Sequence, residues 1–229
     1  MSKFVHIFPL SIYRDSLTLA PDYKQQLIDS ILQMESASQK KSVDRAWLGD
    51  TAGHEFLFQR EEFQELFRAI AQKIRDYTMA LGMNNDLLDF YFQRSWATVT
   101  RRGEEINEHA HNQSNISFAY YLQKPAGSGG INFITYDHPN EISPGAFTPS
   151  KADLGFIDRP SMLTWNTVGI NPKEDEIVIF PSKTLHATVP SETDQPRISI
   201  SADVTTMLRD SLGHETMMPN FKHWRSFDA

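Results

Sequence analysis

The sequence predicts a mainly β protein with N-terminal helices, its strands closing into a double-sheet barrel or jelly roll. Three observations carry this. Apolar residues recur at helical spacing ahead of Gly82 and at strand spacing after it. Aromatic and β-branched residues crowd the later part of the chain into short runs. Turn-forming clusters of Gly, Pro, Asn and Asp separate those runs.

Taken in order, residues 4–12 form a short apolar segment broken by Pro9, read as an edge strand or extended arm. Pro21 and Asp22 open a helix running to Ser36, with Leu27, Ile28, Ile31 and Leu32 as its apolar stripe. Residues 36–53 are polar and read as a loop, with Trp47 and Leu48 packing back. A second helix starts near Arg60. Phe63, Leu66, Phe67, Ile70, Ile74 and Tyr77 share one face of it, and Gly82 supplies the stop. Both stripes read as core faces.

Strands are expected over residues 90–100, 115–122, 130–136, 162–168, 176–180, 185–189 and 197–204. About eight short strands behind two helices suit a jelly roll braced by helices. Residues 140–159 form a long insert with Pro and Gly, of the kind that serves as a lid or binding loop. The expected organisation is one domain: an arm and bracing helices over 1–88, a β core over 89–205, and a tail over 206–229 packing on the core.

The chain has 229 residues, 40% of them hydrophobic and 11% aromatic, enough for one sizeable core. A net charge of -7 argues against a large phosphate-binding face, and so against a nucleic-acid partner. With no cysteine, disulfides, thiolate metal sites and a Cys nucleophile are excluded. No apolar run approaches the roughly 18 residues of a membrane span, and the N-terminal run is too short for a signal peptide. A cytoplasmic protein with no membrane partner is expected. The oligomeric state stays open, a homodimer included.

The chemistry concentrates in a few positions. His109 and His111 lie two residues apart, so on a strand they point to one face. His186 follows the strand-like run that ends at Phe180-Pro181-Ser182. Three imidazoles can hold one face of a divalent iron and leave the other open. Arg197 and Ser199 alternate so that guanidinium and hydroxyl face the same way, suited to gripping the carboxylate of a small acid. Asp137, after the run 131–136, is open to three readings: a carboxylate ligand, an orienting partner for a histidine, or a turn residue before Pro139. His6, His54, His214 and His223 stand alone and read as surface or structural, and His138 is undecided.

These residues resemble the iron(II)- and 2-oxoglutarate-dependent oxygenases, in particular a bacterial and phage branch with a His-X-His signature. The likeness runs through Trp96-Ala97-Thr98-Val99, His109-Ala110-His111, the segment from Ser117 to Leu122, Gly130 to Asp137, Phe180-Pro181-Ser182, His186 and the segment from Arg197 to Ser201. It implies a double-stranded β-helix (jelly roll, cupin-like) and an iron(II) cofactor held by His109 and His186, with 2-oxoglutarate as cosubstrate. Arg197, helped by Ser199 and by Tyr121, would bind its far carboxylate. The implied activity is hydroxylation of a small-molecule or peptidyl substrate, with release of succinate and carbon dioxide. Most members have His-X-Asp or His-X-Glu; here His111 stands where the acid belongs, so the third ligand is either His111 or Asp137.

Two rivals follow from the same residues. Gly103 ahead of the histidine pair and Pro181 ahead of His186 also fit parts of the cupin signature. That would be a three-histidine metalloenzyme without 2-oxoglutarate. Against it, Asn115 and Ile116 stand where the cupin glutamate is expected, and Lys183 where a glycine is. The other rival is a non-enzymatic barrel that binds a small ligand.

Overall fold

Period-two patterning in the second half of the chain builds two antiparallel sheets with a shared interior. The structure, a computed structural model, describes residues 5–38, 45–210 and 218–227. In chain order the elements are β1 (Tyr13–Ser16), α1 (Pro21–Ala37), β2 (Trp47–Leu48), α2 (Gln64–Ala80), β3 (Leu88–Thr100), β4 (Ile116–Gln123), β5 (Ile131–Ile134), α3 (Pro149–Asp153), β6 (Thr167–Ile170), β7 (Glu176–Pro181), β8 (Leu185–Thr188) and β9 (Arg197–Leu208). Six strands form a major sheet in the order β1-β7-β4-β9-β3-β2, and three form a minor sheet, β6-β5-β8. This is the double-stranded β-helix.

Alternation on the major sheet decides what each face touches. One face carries Ala97 and Val99 of β3, Phe118 and Tyr120 of β4, Ile177 and Ile179 of β7, and Ile198 and Ile200 of β9. It packs on Leu27 and Ile31 of α1 and on Leu66, Ile70 and Ile74 of α2, so the helices brace the sheet from outside. The opposite face turns inward. There Tyr121, Val178 and Phe180 meet Ile131 and Phe133 of the minor sheet. Pro21 in the first turn of α1 sets that helix's entry, and Gly82 at φ +83 lets the chain leave α2.

Several boundaries differ from the sequence reading. The arm, described from residue 5, holds no strand before Tyr13. Pro9 lacks a ladder donor, and Phe8 sits at φ 58, which breaks an extended run. Trp47 and Leu48, expected in a loop, pair with Val99 and Thr98. The strand expected over 162–168 starts later, at Thr167, because Ser161 O accepts from the N–H groups of both Thr164 and Trp165 and holds a turn there (both 2.9 Å). Strand β9 continues to Leu208. The long insert contains α3. Beyond it, Asn220 is buried and donates to Asp89 on β3 (2.8 Å). Phe4 and His214 lie outside the described residues. No helix among the described residues is long and apolar enough to cross a membrane.

Candidate metal and cosubstrate site

The inward face of the barrel encloses a cavity of about 390 Å³ whose walls carry both the histidines and Arg197. His109 lies just beyond the regular strands, yet its backbone pairs with His186 on β8 in an isolated antiparallel bridge. His109 N–H donates to His186 O (3.0 Å), and His186 N–H donates to His109 O (2.9 Å). Directly opposed residues project to the same side of a sheet, and the two rings sit 4.3 Å apart, centroid to centroid. Two residues on, His111 is anchored through its N–H to Ser182 O (2.9 Å). Its ring lies 5.0 Å from that of His109 and 5.3 Å from that of His186. One ring nitrogen from each of the three lies within 4.8 Å of the other two.

Hydrogen bonds select which nitrogen is free. His109 Nδ1 meets Asn107 O at 2.8 Å, and His186 Nδ1 meets Thr184 O at 2.8 Å. A carbonyl oxygen only accepts, so each Nδ1 carries the proton and each Nε2 keeps its lone pair. His111 Nδ1 lies 2.6 Å from Asp203 Oδ1 on β9. All three rings therefore have Nδ1 engaged, the arrangement that ligating imidazoles commonly show. Burial, reinforced by the neighbouring imidazoles His109 and His111, pushes His186 down to about 3. Burial also lowers His109. Both are thus neutral donors at ordinary pH, as a ligand must be.

Asp137 does not join this group. It is exposed in the turn after β5, where its N–H contacts Thr135 Oγ1 at 3.3 Å. The turn reading is what remains for it, because β5 ends at Ile134 and the chain has already left the rim. The carboxylate beside a histidine is instead Asp203, which the sequence reading missed. The signal was present: Arg197, Ser199, Ser201 and Asp203 alternate along β9, so all four share its inward face. Trp96 stacks on the His111 ring at 5.6 Å with 11° between the planes.

Arg197 lines the same cavity and is 2% exposed. It donates to Ser128 O (2.7 Å) and to Thr100 Oγ1 (3.2 Å). No carboxylate among the described residues pairs with it, and burial works against its charge. A buried guanidinium without an anion is costly unless a ligand supplies one. Tyr121 and Ser199 line the same cavity. Burial raises Tyr121 to about 12, so it stays a hydroxyl donor. The donor set thus fits both groups the resemblance implies: three free imidazole nitrogens for a divalent metal, and an unpaired buried cation with hydroxyls for a carboxylate.

Comparison with known proteins agrees with this geometry. Residues 94–203 match the family described as "Putative 2OG-Fe(II) oxygenase". Among solved structures, a Pseudomonas putida prolyl-4-hydroxylase superposes with a TM-score of 0.51 at 14% identity, covering 85% of this chain and 92% of that one. The non-heme alpha ketoglutarate dependent epimerase SnoN from nogalamycin biosynthesis gives 0.55 at 13% identity, covering 92% and 88%. HygX from Streptomyces hygroscopicus, with nickel and 2-oxoglutarate bound, gives 0.52 at 10% identity, covering 96% and 87%. Likenesses at such identity establish the fold. No curated protein sequence matches the chain.

Over residues 94–203 the chain is similar to the iron(II)- and 2-oxoglutarate-dependent oxygenases, and that stretch contains His109, His111, His186 and Arg197. The groups named in that family's description are 2-oxoglutarate and iron(II).

Proposed function

We propose that His109, His111 and His186 hold the iron, that Arg197, Ser199 and Tyr121 hold the far carboxylate of 2-oxoglutarate, and that the reaction is hydroxylation of a small-molecule or peptidyl substrate. The observation that carries this reading is the pairing, in one cavity, of three imidazoles with Nδ1 engaged and a buried arginine with no carboxylate partner among the described residues. When bound, iron(II) with 2-oxoglutarate and dioxygen supplies an oxidant able to break an unactivated C–H bond, the keto acid leaving as succinate and carbon dioxide.

The chain's own residues bind, orient and shield. Arg197 offers a planar fork that matches a carboxylate in two parallel hydrogen bonds. Its anchors at Ser128 and Thr100 fix the fork before any ligand arrives, so little side-chain freedom is lost on binding. Ser199 lies beside it on β9, and the Tyr121 hydroxyl faces the same cavity from β4. Phe180 packs edge-on against the His186 ring (4.8 Å), and Trp96 covers His111, so apolar surface limits water around the imidazoles.

The test is anaerobic titration of iron(II)-loaded protein with 2-oxoglutarate, following the visible charge-transfer absorption of a chelated keto acid. The expected result is a saturable band that is lost in His109→Ala and in His186→Ala, and that needs far more keto acid in Arg197→Ala. A band unaffected by Arg197→Ala would overturn the assignment of the carboxylate site. Tight iron binding with no band would favour the cupin-like alternative. Hydroxylation itself is checked by substrate-dependent succinate formation, with one oxygen atom of labelled dioxygen found in the product.

A further inference from the structure

The side chain that replaces the usual acidic ligand is itself bonded to an acid. Asp203 is fully buried, and its Oδ1 lies 2.6 Å from His111 Nδ1. The carboxylate is held from several sides. Gln113 Nε2 donates to its Oδ2 (2.8 Å), and the hydroxyls of Ser114 and Ser117 reach Oδ1 at 3.2 and 3.4 Å. Those two serines also bond Ser182 Oγ, each at 2.8 Å. Ser182 O in turn holds the His111 backbone N–H. The network therefore fixes the ring and its supporting carboxylate as one unit. Among the described residues the cation that reaches it is Arg94, 3.9 Å from Oδ2 and engaged mainly with Asp50 (2.5 Å).

We propose that Asp203 is the displaced carboxylate of this centre: a positioning residue that fixes His111 with Nδ1 protonated and Nε2 aimed at the metal, and that delivers its negative charge through the imidazole. The proposal rests on the three-histidine reading above. A His-X-Asp site puts one anion on the metal, whereas three imidazoles put none there. An imidazole whose N–H is bonded to a carboxylate is a stronger donor than a free one, because partial transfer of that proton raises the basicity of the opposite nitrogen. The charge is thus moved one bond network outward. Because Asp203 lies on the same inward row of β9 as Arg197 and Ser199, one strand carries both the anchor for the cosubstrate and the counter-charge for the metal site.

The experiment is a double-mutant cycle on cobalt(II) affinity, measured by calorimetry on the full chain under nitrogen. Asp203→Asn should weaken cobalt(II) binding about 10–100-fold in the wild-type background. In a His111→Ala background the same change should cost less than about threefold, because the group it acts through is gone. Equal losses in the two backgrounds, or no loss in the first, would overturn the proposal. Failure of His109→Ala and His186→Ala to weaken cobalt(II) would instead overturn the three-histidine reading itself. Melting of the metal-free variants shows whether they fold. A measurement on the unaltered chain stands apart from folding: nitrogen-15 spectra of the zinc(II)-loaded protein. They should show a strongly downfield Nδ1–H on His111 and zinc on Nε2. Zinc on Nδ1, or an ordinary Nδ1–H shift, would count against Asp203 in this role.

Discussion

His109 and His186 exchange both backbone hydrogen bonds across an isolated antiparallel bridge, at 3.0 and 2.9 Å. Their separation is therefore set by main chain. The side chains add to this, since each Nδ1 is already satisfied by a carbonyl two residues earlier. On the metal-site reading proposed above, the cost of ordering these two ligands is met during folding.

Removal of metal should therefore leave the fold intact. Protein stripped with a chelator is expected to keep the far-ultraviolet circular dichroism of the loaded form. Its melting temperature should be lower by an amount that follows metal concentration. Linkage gives about 2.7 kcal/mol of added stability at a hundredfold excess over Kd. Loss of β signal on chelation would show that the metal, not the bridge, assembles the site.

Arg197 should trade stability for binding. Its charge is buried, with Ser128 O and Thr100 Oγ1 as its partners among the described residues, and replacing buried charge by apolar volume is often neutral or stabilising. Arg197→Met is thus expected to melt no lower than wild type, and above it where Met fills the space. The same change should weaken 2-oxoglutarate binding about 30-fold or more, corresponding to roughly 2 kcal/mol or more for a buried charged hydrogen-bond pair. A clear fall in melting temperature with unchanged affinity would mean the arginine is a structural strut.

Gly130 marks where the two halves of the minor sheet approach too closely for a side chain. A Cβ there would lie 2.3 Å from Ile170 O, a backbone atom of β6 that is held in the ladder with Ile131. Gly130→Ala should push β6 away from β5, at about 1–3 kcal/mol. For a chain of this size that lowers the melting temperature by roughly 2–4 °C per kcal/mol. Thermal melts of the metal-free pair test it, and an unchanged midpoint would mean that β6 moves freely.

The sequence made the period and the chemistry legible, and long-range pairing less so. The stripe from Phe63 to Tyr77 announced α2, and alternation announced β3, β4, β7 and β9, because side-chain spacing alone encodes those. Trp47 and Leu48 could not be read as a strand: two residues carry no period, and their pairing depends on Val99 and Thr98. The histidine pair was readable from its spacing. That His186 lies opposite His109 was not readable, because no local signal gives that register. Asp203 was within reach through the row it shares with Arg197. Its pairing with His111 spans 92 residues, and nothing local to either residue encodes it.

The last prediction concerns pH and the brace between helix and sheet. Lys73 on α2 reaches Asp15 Oδ2 on β1 at 2.6 Å. That hydrogen bond, helped by the Ser16 N–H, holds the Asp15 carboxyl below its ordinary range. In the unfolded chain Asp15 titrates near about 3.9. Between the folded and unfolded values the unfolded state binds more protons, so stability rises with pH there. The contribution is complete above the unfolded value and is lost as pH falls through the folded one. Both side chains are partly exposed, so solvent screens the effect and it should be small. Lys73→Met removes the leading cause and leaves the Ser16 contact. Urea midpoints measured from about pH 6 down to about pH 3 should therefore fall less steeply in the variant than in wild type. Parallel curves would show that the ion pair does not couple α2 to β1 in solution, and that apolar packing alone holds the helices on the sheet.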